Sequence, residues 1–391
     1  MAQKTYRVEI YDKNFATKLT TVVFPIIRNL TIRLNDITTA LWEIPKESPQ
    51  AIEAYLTEMN KIKILRWSDE SQNHVPIWAG SIESIKEGDD TLQIGCIHIL
   101  DVLDNRLTGA DENVNGVAPD EIYDLLSTAN TADDTGISEG ASDITDSVNF
   151  TYNRKSLYDV IHGIVNDELS YEYEIDPDTL ELNLMTTIGE DQSTSVVFIR
   201  NDDNPNATNV SEAKMQSEGK EIFNYIIGQG KTSGGSVIAN QIAYDTDSIT
   251  AKGRREKTVT FDEARDASQL LSLTQEYLAA HKDALVDLDI VPEPARTVTN
   301  VAGDEVRKGY DFFDDYSVGD LVAVKYITRF KEVERTERVV EVKISVDDAS
   351  NEDIQIKTTD EDQKVIAEIA TRTAEEKLAD RVQTLENETY S

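Results

Sequence analysis

The chain has 391 residues and a formal net charge of −36, from 38 Lys and Arg against 74 Asp and Glu, and 39% of its residues are hydrophobic. That much apolar matter excludes wholesale disorder, the acidity disfavours contact with a phosphate backbone, and the length fits two to four domains. One cysteine, Cys96, excludes an intrachain disulfide, and no run approaches the roughly 18 apolar residues that a membrane span needs.

Residues Met1 to Phe15 mix charge with isolated apolar residues and lack the apolar run of a secretory leader, so folding in a cytoplasm is expected. Tyr6, Val8 and Ile10 alternate with polar residues as a half-buried strand does, and Leu30, Ile32 and Leu34 repeat the pattern before a turn at Asn35-Asp36. Ser48-Pro49 has the form of a helix start, with Ile52, Tyr55, Leu56 and Met59 as its apolar face. Strands are expected at 62–67, 76–85 and 91–99, with Gly88-Asp89-Asp90 as the turn between the last two. Cys96 shares the alternation of Leu92 and Ile94, which predicts a buried structural thiol. A short helix at 99–106 completes a unit, 1–106, with the content of a small β-barrel.

Residues 101–150 hold twelve acidic residues against one basic residue, Arg106. Gly, Ser, Thr and Asn fill 127–147, which reads as an exposed, partly mobile insertion, and Pro119 precedes a short helix at 120–126. Ser156 caps a helix with the face Leu157, Val160, Ile161, Ile164 and Val165, and a hairpin turns at Asp176-Pro177-Asp178. With a strand at 196–199, the region 107–206 is expected to be the acidic insertion plus an α+β domain. Residues 207–230 read as strands, and 228–236 as a Gly-rich turn. Asp262 begins a predicted helix over 262–284, with Ala267, Leu270, Leu271, Tyr277 and Leu278 at helical spacing. After Pro292 and Pro294 the strands resume: Gly319-Asp320 turns into a strand at Leu321, and Val333, Val339, Val342, Ile344 and Val346 follow. Residues 207–358 thus read as a second barrel with a helical insertion. The last segment, 359–391, reads as a polar helix with a narrow stripe that suits a seam with another chain. Ile366, Ile369, Leu378, Val382 and Leu385 are its candidate interface residues; a frayed tail is the alternative.

Chemical motifs are weak. The histidines His74, His98, His162 and His281 are too scattered for a zinc site. Gly230-Lys231-Thr232 resembles the end of a phosphate loop, but Tyr225 stands where the first glycine is required, so a hairpin turn is the better reading. Asp111, Asn113, Asn115 and Gly116 match the opening of a calcium loop, yet Ile122 occupies the closing glutamate position, leaving only a weak calcium candidate. No nucleophile elbow is present. No enzyme, no cofactor and no metal is expected.

The order Tyr6-Arg7-Val8-Glu9-Ile10-Tyr11-Asp12, Asn29-Leu30-Thr31-Ile32-Arg33-Leu34-Asn35, Trp42-Glu43-Ile44-Pro45, Gly80-Ser81-Ile82 and Leu100-Asp101-Val102-Leu103-Asp104-Asn105-Arg106 resembles the first domain of tail-hub (baseplate hub) proteins of long-tailed bacteriophages. The helix and hairpin after Ser156 resemble their second domain, and the strand after Val318-Gly319-Asp320 their second barrel. The resemblance implies a strand-rich α+β chain with two small tail-tube-like barrels, an α+β domain between them and a C-terminal helix. It implies a homotrimer in the virion tail, six barrels around a channel for the genome, and neighbours that are distal tail or tail-tube protein, tail-tip or fibre proteins and the tape-measure protein. An acidic lumen would repel passing DNA. A competing expectation is a carbohydrate- or receptor-binding module that uses Trp42, Trp67 and Trp78, although each sits in or beside a predicted strand.

Overall fold

A computed structural model describes residues 5–218, 222–231, 237–261, 266–282, 285–299, 305–329, 332–349 and 351–359. The described chain forms two units, 1–213 with 289–358, and 214–288.

The larger unit begins with strands β1 (Tyr6–Tyr11), β2 (Lys18–Val23), β3 (Ile26–Ile32), β4 (Thr39–Pro45), β5 (Lys61–Ser68), β6 (Asn73–Glu87) and β7 (Thr91–His98). The alternation in β1 works as expected: Tyr6, Val8 and Ile10 are buried while Arg7 is exposed. The expected helix after Ser48 is absent, and 48–59 is a string of isolated turns. Leu56 is buried, but Ile52 and Met59 stay exposed, so a helix here would have no apolar face to dock.

Helix α1 (Asp101–Asp104) leads into a middle region of β8 (Glu112–Val117), α2 (Ala118–Ala132), β9 (Ser138–Ser142), β10 (Ser147–Tyr152), α3 (Leu157–Ile161), β11 (Glu172–Ile175) and β12 (Glu181–Met185). Ser156 caps α3 as expected, its side chain accepting from the Asp159 N–H, and the helix continues as a π-helix, His162–Glu168. The acidic stretch 127–147 is no loose insertion. It contains the end of α2 and all of β9, which pairs in parallel with β12, and Ile137 and Ile144 enter a core shared with Leu126, Val160, Tyr173 and Leu182.

Strands β13 (Val197–Asn201) and β14 (Val210–Glu218) follow. The chain then forms the smaller unit: β15 (Tyr225–Lys231), β16 (Val237–Tyr244), α4 (Thr246–Lys252), β17 (Glu256–Phe261) and α5 (Ala267–His281). Helix α5 lies within the predicted span and Asp266 caps it; Asp262, the expected start, lies outside the described residues. Its Leu270, Tyr277 and Leu278 pack with Ile226, Ile238 and Phe261 of the three-stranded sheet β16-β15-β17, so the expected helical insertion is a small α/β unit. Strands β18 (Leu285–Pro292), β19 (Arg296–Thr299), β20 (Glu305–Lys308), β21 (Leu321–Ile327), β22 (Glu332–Val346) and β23 (Glu352–Thr359) complete the fold.

The strand-rich α+β class stands, but the described strands close no barrel. Thirteen of them form one open sheet with the path β14-β18-β23-β22-β3-β4-β7-β6-β5-β1-β2, with β21 joined to β22 and β13 to β21, and the rest form small separate sheets. Two series of neighbours follow the same order, β3-β4-β7-β6-β5-β1 in the first half and β14-β18-β23-β22-β21-β13 in the second, although the last pair runs antiparallel in the first (β1 with β5) and parallel in the second (β13 with β21). Both β6 and β22 are 15 residues long, and each leads by a turn into an eight-residue strand. Register extends the match. Lys61 pairs with Ser81, and one step on the Met59 N–H bonds to Ile82 O while the Ile82 N–H bonds to Asn60 O. In the second half Leu321 pairs with Arg338, the Gly319 N–H bonds to Val339 O and the Val339 N–H bonds to Asp320 O. Met59 (φ 72°) and Gly319 (φ 99°) both adopt the left-handed conformation this turn requires.

Candidate functional site

The two half-sheets meet where β22 leaves β21. Beyond Val339, residues Val342, Lys343 and Ile344 pair antiparallel with Ile32, Thr31 and Leu30 of β3. Leu30, Val342 and Ile344 are buried. The ladder supplies partners for the backbone polar groups of two strand edges, and the flanking apolar side chains leave water.

Charged side chains close the seam. Arg33 pairs with Glu341 and, at 3.0 Å, with Asp36, while Lys343 Nζ lies 2.9 Å from Glu341 Oε1. Burial raises the Glu341 carboxyl, but hydrogen bonds from Lys343 and Arg33 outweigh it and hold the group below its ordinary range. Arg28 Nη2 reaches Glu43 Oε2 at 2.8 Å and Asp348 Oδ1 at 3.3 Å.

A deeper contact lies farther along. Arg66, 1% exposed, donates Nε to Glu352 Oε1 at 2.7 Å and Nη2 to Glu352 Oε2 at 2.8 Å, while Nη1 donates to Phe312 O at 2.7 Å. Tyr6 also donates its hydroxyl to Glu352. Burial opposes the guanidinium charge, yet the bonds and charge of Glu352 keep the Arg66 pKa raised. Burial, followed by the Glu352 charge, pushes the Tyr6 phenol well up, so it stays a donor. This fork-on-fork pair satisfies what it desolvates, the condition under which a buried ion pair is tolerated.

The middle region clips onto both halves. Asn35 (φ 57°) bridges to β11: its Oδ1 accepts from the Tyr173 N–H at 2.7 Å, and its backbone O accepts from the Tyr173 hydroxyl at 2.9 Å. Arg338 pairs in the interior with Glu172 and donates to Ile188 O, and Glu172 accepts from the Ile188 N–H at 2.8 Å. Gly189 (φ 98°) and Gly319 touch back to back; a Cβ on Gly319 would lie 2.5 Å from Ile188 O. Beside these contacts lies a half-open pocket of about 300 Å³ lined by Ile32, Trp78, His98, Tyr173, Ile188 and Phe312, among others. His98 loses basicity to its burial, and its pKa falls to about 4.

Among the residues singled out from sequence, Cys96 is buried, accepts from Trp42 Nε1 at 3.4 Å, and has its thiol pushed up to about 12 by burial. Trp42 and Trp78 are buried, and Trp67 donates Nε1 to Asp69 at 3.0 Å, so the three indoles share no open cleft. Asp111 (φ 56°) stands at a turn; Asn113 and Asn115 follow in β8, paired with Thr151 and Asn149. A strand sets alternate side chains about 6.6 Å apart in a row, whereas a calcium loop curls them toward one point. Gly230 and Lys231 end β15, with Lys231 opposite Val237 in a hairpin. His162 contacts the Tyr173 hydroxyl at 2.9 Å, and His281 stacks on Tyr277 at 3.9 Å. Ile366, Ile369, Leu378, Val382 and Leu385 lie outside the described residues. Asp69, Asp311 and Asp314 bring carboxylate oxygens within 4.8 Å of one another, but both oxygens of Asp314 already accept, from Ser68 Oγ at 2.7 Å and the Asp69 N–H at 3.1 Å. Sequence reasoning missed Arg66, Glu352, Arg338 and Glu172. The one available signal was charge interleaved with apolar residues in a strand, as at Lys61, Lys63 and Arg66 around Ile62, Ile64 and Leu65.

No protein-family model matches the sequence, and no curated protein matches it. Solved structures do match its fold. A tail protein from Neisseria meningitidis MC58 is 10% identical with a TM-score of 0.56, over 91% of this chain and 96% of its own. The prophage tail protein gp18 from Listeria monocytogenes EGD-e is 11% identical with a TM-score of 0.54, over 94% and 97%. The 43 kDa tail protein of prophage MuSo2 from Shewanella oneidensis is 11% identical with a TM-score of 0.57, over 92% and 98%. The chain therefore has the fold of phage tail proteins along nearly its whole length, and the resemblance to tail-hub proteins holds at the level of fold.

Proposed function

We propose that this chain is a structural protein of a phage tail: a hub whose three copies form a ring between the tail tube or distal tail protein and the tail tip. The observation that carries this reading is the repeat of one strand order in two halves of a single chain, joined edge to edge through β22 and β3. Each half is a tail-tube-like module, so three chains supply six modules, and a threefold assembly can face a sixfold one. The ion pairs across the seam act to fix register between modules rather than to carry out chemistry, which favours a scaffold over an enzyme. The channel of such a ring would pass the genome, and the net charge of −36 would repel a DNA backbone there. The tape-measure protein and tail-tip or fibre proteins are the further neighbours of this reading, with the virion tail as its location. Burial of Trp42 and Trp78 removes support from a carbohydrate-binding alternative. Light scattering on the purified chain, with electron-microscope images, tests the proposal: three times 43.7 kDa and threefold rings are expected, and a monomer at micromolar concentration overturns it.

A further inference from the structure

The half-open pocket beside Tyr173 holds a donor that the fold leaves unspent. His98 pairs with Gly80, which puts it on the same sheet face as Trp78, and the two rings lie 5.7 Å apart. His98 Nδ1 accepts from the Leu100 N–H at 3.4 Å. Burial keeps the ring neutral, so its proton sits on Nε2. Among the described residues Nε2 meets no hydrogen-bond partner, yet it is not sealed from open space. Its neighbours are already engaged: Trp78 Nε1 donates to Thr38 Oγ1 at 3.0 Å, and the Tyr173 hydroxyl donates to Asn35 O at 2.9 Å.

The lining disfavours charge of either sign. Glu174 and Asp176 line the pocket; burial raises the Glu174 carboxyl, and the charges of Asp176 and Glu172 add to that rise. Arg33, also in the lining, is held by Asp36 and Glu341. An entering anion would meet the carboxylates, and an entering cation would meet the Nε2–H. A hydroxyl suits both, since it accepts from His98 and offers its own hydrogen to a carboxylate. Rings supply the rest of the wall: Tyr173, Phe312 and Phe313 join Trp78 and His98. Phe313 stays 38% exposed with its backbone at φ 72°, a conformation that bulky residues adopt where the surrounding structure imposes it, often beside a ligand.

We infer that this pocket binds a phenol ring, the end of a tyrosine side chain that another protein presents on a segment without acidic neighbours. A volume of about 300 Å³ is at the small end for a ligand site and suits one ring, while the half-open mouth leaves a way out for the chain that carries it. The inference does not depend on the threefold assembly, because every lining residue belongs to one chain.

Saturation-transfer NMR titrations of the full chain test this, with N-acetyl-tyrosinamide, N-acetyl-phenylalaninamide and p-cresol as probes and a melting curve on every variant. The tyrosinamide should bind about fivefold more tightly than the phenylalaninamide. His98→Phe keeps a ring but removes the donor, and should erase that preference. Phe313→Ala, at an exposed position, should weaken both amides about threefold or more. Equal binding of the two amides to wild type, or a preference that survives His98→Phe, overturns the proposal. Binding of p-cresol without the tyrosinamide also overturns it, in favour of a free phenol as the occupant. If His98→Phe does not melt cooperatively, Phe313→Ala decides, and unchanged binding there overturns the site.

Discussion

The two halves share a strand order but differ in what their equivalent positions hold. In the first half β3 turns into β4 across 33–38; in the second, the same connection between β14 and β18 spans 219–284 and carries β15, β16, β17, α4 and α5. Closure entropy grows slowly with loop length, so a sheet tolerates a large insertion at a hairpin tip without changing its order. Strand β5 differs from β21 in another way. Lys61, Lys63 and Arg66 of β5 are buried cations, and register places Leu321, Ala323 and Tyr326 at the same positions of β21. The first half is thus the half that receives: Lys63 donates to Asp178 O at 2.5 Å in the middle region, and Arg66 grips Glu352 in the second half. A repeated scaffold keeps its hydrogen-bond ladder and varies the side chains that face non-equivalent neighbours.

The comparison breaks most easily at Arg66. Arg66→Met strands Glu352 without its cation, and equilibrium denaturation should register a loss of about 3–5 kcal/mol. Arg66→Met with Glu352→Leu should recover most of it; a double variant as unstable as the single one would contradict the account of this pair. Next comes the shared left-handed turn. Gly319→Ala combines positive φ with a Cβ pressed on Ile188 O, for an expected loss of about 2–3 kcal/mol. A thermal shift within error of wild type would show that the turn relaxes freely.

Lys61→Leu makes the first half more like the second. Burial depresses the Lys61 pKa to about 8, and the ammonium donates to Ser81 Oγ at 2.6 Å. The folded state thus binds the Lys61 proton less tightly than the unfolded chain does, and wild-type stability falls as pH drops from the unfolded value near 10.4 toward 8. Lys61→Leu should therefore gain about 1–2 kcal/mol at pH 7, and the gain should vanish above about pH 10. Denaturation at several pH values reads it, and a gain that does not vary with pH would point to packing instead. The smallest effect belongs to Met59→Gly, which gives the first half the second half's residue. Its side chain is exposed, so relief of the left-handed backbone should raise stability by up to about 1 kcal/mol, read as a melting shift of about 1–2 °C.

Much of this was legible in the sequence wherever a pattern is local. The alternation in β1, the cap at Ser156 and the turn at Gly319 each depend on a few adjacent residues. The apolar spacing at 48–59 is local too, but whether a helix forms there depends on a docking face that the chain does not provide. Ile137 and Ile144 hold 127–147 in place despite its polar composition, because a few buried side chains outweigh a sparse average. Two similar halves, 1–106 and 207–358, are expected from the sequence, but their matching register is not legible there, because the halves share little side-chain identity: Ile62 and Ile64 match Val322 and Val324, but Lys63 between them has Ala323 at the equivalent place. The candidate site was hidden for a related reason. Arg66 and Glu352 lie 286 positions apart, and nothing near either one announces the other.

The β3–β22 seam also sets an order of events during synthesis. A ribosome that has made β3 must add about three hundred more residues before β22 emerges, which takes roughly 15–60 s at 5–20 residues per second. Throughout that interval the nascent first half presents an open strand edge, and other nascent copies on the same message present it too. Arg28 and Arg33 flank that edge with local partners already in place, Glu43 and Asp36, so the nascent half holds its charges satisfied until Asp348 and Glu341 join them from the arriving second half.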